Sequence, residues 1–159
     1  MTTAEFWESY LAATGQSGEE AAFSGELCFD DDWSSGGGRL NLVLSGAKTA
    51  VFTPLDSIGI NREPVPVADE VYVVLDSKDE PRCIVEVTDV NVIPLNEIPW
   101  DLARRDGESV NLADWQARML EILADEADLC GFEAREDSRI VCEIFRVIFK
   151  RADCRASAV

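Results

Sequence analysis

Leu42-Val43-Leu44-Ser45-Gly46-Ala47-Lys48-Thr49-Ala50-Val51-Phe52-Thr53 sets one lysine between a helix-stopping glycine and a β-type stretch. Gly46 suits the left-handed residue that ends a helix, because without a Cβ it adopts positive φ at no steric cost. Before it, Leu40, Leu42, Val43 and Leu44 fit either a short helix or a buried strand by periodicity. After it, Ala50-Val51-Phe52-Thr53 reads as the first strand of a sheet. Lys48 therefore either enters a cavity walled by the flanking elements or lies solvated at a strand end. A lysine at the mouth of a cavity can bind a phosphate, polarise a carbonyl, or serve as a base when desolvation favours its neutral form.

Working outward, Val71 to Asp76 and Arg82 to Val92 are β-rich runs, and Ser77-Lys78-Asp79-Glu80-Pro81 between them predicts an antiparallel hairpin. Within the second run Ile84, Glu86, Thr88 and Val90 share one face and Cys83, Val85, Val87 and Asp89 the other. Asn61-Arg62-Glu63-Pro64-Val65-Pro66 is a proline-stiffened connection. Leu95 to Arg105 predicts a short helix, and Asp106 to Val110 a polar turn. Asn111, with Asp114 three residues on, opens a helix through Leu112, Trp115, Met119, Ile122, Leu123, Ala127 and Cys130, stopped by Gly131. Trp115 reads there as core. Ile140 to Phe149 is a final strand.

Toward the N-terminus, Thr3 is expected to cap a helix whose Phe6, Trp7, Tyr10 and Leu11 form an apolar stripe ended by Gly15. Gln16 to Gly38, rich in Gly, Ser and acids, reads as a long loop and a candidate flap. Lys150 to Val159 reads as a frayed tail.

The 159 residues fit a single domain: an N-terminal helix and loop over 1–38, a folded body over 39–149 and the tail over 150–159. A chain of this size buries about 68–70% of its unfolded surface, which is ample for a core. A formal charge of −17, from 31 acids against 14 bases, repels polyanions and argues against coating of long nucleic acid. It turns the expectation toward a small ligand or a short RNA. With no histidine, a Cys/His zinc site and every Ser-His or Cys-His device are excluded. The five cysteines form no Cys-x-x-Cys pair, and Cys83 and Cys142 sit in apolar runs as small hydrophobes, whereas Cys28 and Cys154 lie in polar ends. Asp30-Asp31-Asp32 reads as a solvated acidic loop, and neither metal nor cofactor is expected. No apolar run reaches membrane-spanning length and no signal peptide opens the chain, so a cytoplasmic location is the expectation.

Gly46-x-Lys48-Thr49-Ala50 is followed in order by Asp69-Glu70-Val71-Tyr72-Val73-Val74, Glu80-Pro81-Arg82-Cys83-Ile84-Val85, Leu112-x-x-Trp115 and Val141-Cys142-Glu143-Ile144-Phe145-Arg146-Val147. Together they resemble the activating-signal-cointegrator homology (ASCH) family of the PUA-like superfamily, from about residue 35 to residue 149, with Phe6-Trp7 matching its first-helix aromatic pair. The resemblance implies an α+β fold, a small PUA-like β-barrel with flanking helices, and a cleft for RNA or a nucleotide-like ligand. It tips Arg39 to Ser45 toward helix.

Some small members hydrolyse an N-acetylated cytidine, and others are linked to RNA cleavage. In the amidohydrolase-like members the motif is Gly-x-Lys-x-x-Thr, completed by an acidic residue from a later loop. Gly46 and Lys48 match, but the threonine position holds Val51, which neither attacks nor holds a water. Thr49 and Thr53 lie two residues to either side, on the same strand face, as candidates for a displaced hydroxyl. The acidic position falls in Arg105-Asp106-Gly107-Glu108, with Asp106 ahead of Glu108.

Lys48, Asp106, Glu108 and Thr49 are thus the catalytic candidates of a metal-independent hydrolase. Gly46, Lys48, Thr49, Thr53, Arg82 and Glu143 are the ligand-binding candidates. Arg82 offers a planar fork for a phosphate, or a surface salt bridge to Glu80 or Glu86. Glu143 either faces Lys48 from the last strand or pairs with Arg146. The leading expectation is a binding module for RNA, a nucleotide or a modified nucleoside around Lys48, with a base stacking on Trp33 or Trp100. The alternatives are an amidohydrolase on an acylated nucleoside such as N-acetylcytidine, a ribonuclease, or a degenerate barrel kept for protein contacts.

Overall fold

Thr2, rather than Thr3, caps the first helix, α1 (Thr3–Thr14). In this computed structural model, which describes residues 1–18, 23–29 and 38–151, the Thr2 hydroxyl accepts from the Glu5 N–H at 3.2 Å, and the Glu5 carboxylate accepts from the Thr2 N–H at 2.6 Å. The acid explains the one-residue shift, because only a cap at Thr2 places Glu5 where it can reach back to the capping backbone. Gly15 ends the helix with a φ of 68°.

The stretch expected as a continuous loop over 16–38 contains a strand, β1 (Gly25–Cys28), which runs parallel to β3 (Val71–Leu75) from Gly25↔Tyr72 to Cys28↔Leu75. Its residues alternate half-buried and exposed, but four positions give too short a period to register in the sequence. The distant partner makes it a strand. Asp30-Asp31-Asp32, Trp33 and Cys154 lie outside the described residues, as do the rest of the expected flap at 19–22 and 30–37 and the expected tail from 152 onward.

α2 (Gly38–Ser45) takes the helical option, with Leu40, Val43 and Leu44 buried. β2 (Ala50–Pro54) is the second strand in chain order, and it runs directly into a helix, α3 (Leu55–Ile60), that the sequence does not signal. α3 has no side-chain cap and contains Gly59, so it lacks the usual helix signals. The expected hairpin is present as β3 and β4 (Pro81–Pro94), paired antiparallel.

The single helix expected over 95–105 is instead a 3-10 turn (Leu95–Glu97), a short helix α4 (Trp100–Ala103) and a second 3-10 turn (Arg104–Asp106). Pro99 explains the break, since the residue before a proline is pushed to extended backbone, as Ile98 is at φ −74°, ψ 117°. α5 (Leu112–Cys130) is capped by Asn111, whose side chain accepts from the Asp114 N–H at 2.8 Å, and it ends at Gly131. The last strand is β5 (Arg139–Lys150). Among the described residues the strands are hydrogen-bonded in the order β1-β3-β4-β5-β2. No described helix is long and apolar enough to cross a membrane.

The chain forms two compact units, each discontinuous in sequence. The first comprises Met1–Ala47, Ala68–Thr88 and Phe145–Val159. Its core gathers Phe6, Tyr10, Val71, Val73, Leu75 and Ile84, with the Phe149 ring tilted against Phe6 at 5.4 Å and edge-on to Tyr10 at 5.6 Å. The second comprises Lys48–Val67 and Asp89–Ile144. It packs around the fully buried Trp115, which meets Phe52 edge-on at 5.0 Å, a geometry worth about 1 kcal/mol beyond area burial. Trp100 packs against this same core and is half-buried.

Candidate functional site

After α2 the chain turns at Gly46, whose φ is 83°, and passes through Lys48 and Thr49 into β2. Strand alternation sends Ala50, Phe52 and Pro54 into the core of the second unit and leaves Val51 and Thr53 half-buried on the other face. β2 pairs antiparallel with β5, placing Val51 opposite Glu143 and Thr53 opposite Val141. Directly opposed residues of an antiparallel pair project to one side, so Glu143 shares the face of Val51.

Lys48 is 5% exposed. Its Nζ lies 2.5 Å from Asp106 Oδ1, 3.1 Å from the Asp106 carbonyl oxygen and 3.2 Å from Glu108 Oε2. Three acceptors match the three N–H donors of an ammonium, so this group is saturated within the protein. The two carboxylates come from one turn: the 3-10 segment Arg104–Asp106 closes at Gly107 with a φ of 76°, and the Gly107 N–H donates to the Arg104 carbonyl at 3.1 Å. Glycine makes this reversal without strain and brings the residues on either side of it to the same ammonium.

The turn is fastened at two further points. Thr49 N–H donates to the Arg105 carbonyl at 2.8 Å, and the Arg105 guanidinium reaches Thr49 Oγ1 at 3.5 Å. From α5, Arg118 donates to the Glu108 carbonyl, to Ser109 Oγ at 3.4 Å and to Glu108 Oε1 at 3.4 Å. Glu108 therefore gives one oxygen to Lys48 and the other to Arg118. Two cations and two carboxylates balance locally in a chain of formal charge −17. A buried pair of this kind depends on completeness, because removing one partner strands the other's charge away from water.

The structure thus brings Lys48, Asp106 and Glu108 together, with Thr49 tied to the same turn. Thr53 lies on the Val51 face two residues farther along β2, and Glu143 stands across from Val51. Arg82 belongs to the first unit, where it pairs with Asp76 at 3.1 Å. The salt bridges considered for it, to Glu80 or Glu86, are not the ones made: Glu80 takes Arg151 at 3.2 Å and Glu86 takes Arg146 at 2.9 Å. The physical reason is the hairpin itself. Asp76 also accepts the Lys78 and Glu80 backbone N–H groups, which fixes its carboxylate beside Arg82. Arg146, the surface alternative for Glu143, makes its ion pair with Glu86.

Arg105 and Arg118 were not singled out by sequence. Arg118 carries only the signature of a polar residue on the outer side of an amphipathic helix, and its bond to Glu108 depends on the fold. Cys83 and Cys142 are buried, and burial pushes the Cys142 thiol up from 9.0 to about 12, which suits packing rather than nucleophilic work.

A family profile described as the ASCH domain matches residues 27–149. A crystal structure of an ASCH domain from Lactobacillus crispatus JV V101 is 28% identical over 92% of this chain and 93% of its own, with a TM-score of 0.81. A crystal structure of a protein from Enterococcus faecalis V583 is 26% identical over 94% of this chain and 90% of its own, with a TM-score of 0.79. No curated protein matches the sequence. The α+β class read from the sequence, a PUA-like sheet with flanking helices, is the fold of these structures. With the profile spanning most of its length and two solved structures matching over nine-tenths of it, the chain belongs to the ASCH domain family.

Proposed function

We propose that this ASCH domain is a binding module that takes a nucleoside or nucleotide-like ligand at the Lys48–Asp106–Glu108 cluster. The observation that carries this reading is Val51. Lys48 is ion-paired with Asp106 and Glu108, an arrangement that supports a likeness to the hydrolytic motif, while the position matched to its threonine holds Val51, opposite Glu143. A site that keeps its charged frame and lacks the hydroxyl binds without attacking. Thr49 does not replace that hydroxyl in this arrangement, since its oxygen faces the Arg105 guanidinium. The net charge of −17 favours a small ligand over long RNA, whose affinity depends on many phosphate contacts.

The intact Lys48–Asp106 pair supports a second reading, slow hydrolysis of an acylated nucleoside. Calorimetric titration with cytidine and N-acetylcytidine, alongside chromatography of the same mixtures, separates the two. Binding by the wild type, its weakening in Lys48→Ala and an absence of product are expected. Product that forms with the wild type and disappears in Lys48→Ala would replace the binding reading with a hydrolase. A wild type that neither binds nor converts these ligands or the corresponding nucleotides would overturn both.

A further inference from the structure

We infer that Arg105 receives the phosphate group of a nucleotide ligand at this site, while Lys48 acts on the ligand only through the turn it holds. The inference rests on the binding reading above and names the group that reads the phosphate. It begins with the donors. Lys48 spends its three N–H groups on Asp106 and Glu108, and Arg118 spends its guanidinium on Glu108 and Ser109. Lys48 therefore has no donor left for an anion, and the charge of Arg118, which keeps its Nε–H and one terminal N–H unbonded among the described residues, is already matched by Glu108.

Arg105 differs. It is exposed and makes no ion pair among the described residues, in a chain with 31 acids against 14 bases. Its one side-chain bond, to Thr49 Oγ1, is at the long limit for a hydrogen bond at 3.5 Å and exchanges readily for a stronger acceptor. That bond also aims the guanidinium toward the start of β2, and the 2.8 Å bond from Thr49 N–H to the Arg105 carbonyl fixes its backbone there. The result is an open, planar, permanently charged fork beside the cluster, the geometry that holds a phosphate in bidentate fashion.

The neighbouring carboxylates do not cancel this attraction, because Asp106 and Glu108 are already matched by Lys48 and Arg118. No described residue bonds the second carboxylate oxygen of Asp106, which is left to accept from a donor on the uncharged part of the ligand. Arg104, next in the chain, supplies an internal control: it is equally exposed but is not tied to Thr49.

The test is calorimetric titration of the full chain with the four ribonucleosides, their 5′-monophosphates and the matching dinucleoside monophosphates. Wild type, Arg105→Gln, Arg104→Gln and Lys48→Met are compared by the ratio of monophosphate to nucleoside affinity. A wild-type preference for the monophosphate of about tenfold or more is expected, as for a charge-assisted pair. Arg105→Gln should bring the ratio close to one, Arg104→Gln should keep most of it, and Lys48→Met should weaken both ligands while preserving it. An Arg105-dependent gain for the dinucleoside monophosphate would assign the contact to an RNA phosphodiester, and a gain confined to the monophosphate to a free nucleotide.

The inference is overturned if Arg105→Gln leaves the ratio intact, if Arg104→Gln and Arg105→Gln lower it equally, or if Lys48→Met alone abolishes it. Absence of binding by every nucleoside and nucleotide would instead remove the binding reading, and this inference with it.

Discussion

Val51 and Glu143 stand directly opposite each other on adjacent antiparallel strands, so a hydroxyl built at position 51 would meet a carboxylate across the ladder. Val51→Thr is therefore expected to give slow hydrolysis of N-acetylcytidine where the wild type gives none, as read by chromatography of the product. The change adds one hydroxyl at a half-buried position and should cost within about 1 kcal/mol of stability. Val51→Ala, which supplies no hydroxyl, should remain inactive, and activity in both variants would discard the explanation.

Removing the Lys48 ammonium leaves Asp106 and Glu108, 15% and 16% exposed, facing each other without their shared cation. Lys48→Met should lower the unfolding free energy in urea by about 3 kcal/mol. Adding Asp106→Asn to Lys48→Met should recover part of the loss, because the charge that was stranded is then gone. Simple additivity of the two single substitutions would mean that the pair is not energetically coupled.

Trp115 is fully buried, and its indole N–H has no hydrogen-bond partner among the described residues. Trp115→Ala should cost about 4 kcal/mol through the cavity it opens. Trp115→Phe should cost markedly less than its lost volume suggests, because it also removes a buried donor whose desolvation is worth about 1–3 kcal/mol. Chemical denaturation of the two variants gives the comparison. Equal losses would show that the N–H carries no penalty.

Burial holds the Cys142 thiol neutral up to about 12, against 9.0 for an unhindered cysteine. Above pH 9 the unfolded chain releases this proton while the folded protein keeps it, so folding binds more protons and stability falls as pH rises from about 9 to about 12. The contribution is complete below pH 9. Unfolding curves at pH 7, 9 and 10.5 should show the wild type losing more stability than Cys142→Ala over the upper interval. A parallel decline would place the alkaline loss elsewhere. A thiol reagent at pH 8 should modify the exposed Cys28 and spare Cys83 and Cys142 until the protein unfolds.

The elements that announced themselves did so through local chemistry: the Asn111 cap and Gly131 stop of α5, the polar turn between β3 and β4, and the glycine after α2. β1 escaped because its identity lies in its parallel partner, and α3 because it lacks a capping side chain and includes a glycine. The acidic turn was reached through family resemblance, and its geometry was beyond any local signal, since Lys48 and Asp106 are 58 residues apart. The same holds for Arg105 against Thr49, at 56. Such contacts are properties of the assembled backbone, and two exposed arginines in a polar segment look alike until one of them is seen reaching Thr49, just before β2.

Each compact unit is assembled from separated stretches, and β5 contributes to both, its first half to the second unit and Phe145 onward to the first. During synthesis, then, neither unit can close on the nascent chain until the last strand has left the ribosome. The N-terminal helix must wait with Phe6 and Tyr10 uncovered until Phe149 arrives to pack against them. A shortened chain ending before Arg139 would lack a partner for β2 and a wall for α1 together. Ribosome-bound intermediates of this protein should accordingly stay protease-sensitive until β5 has emerged.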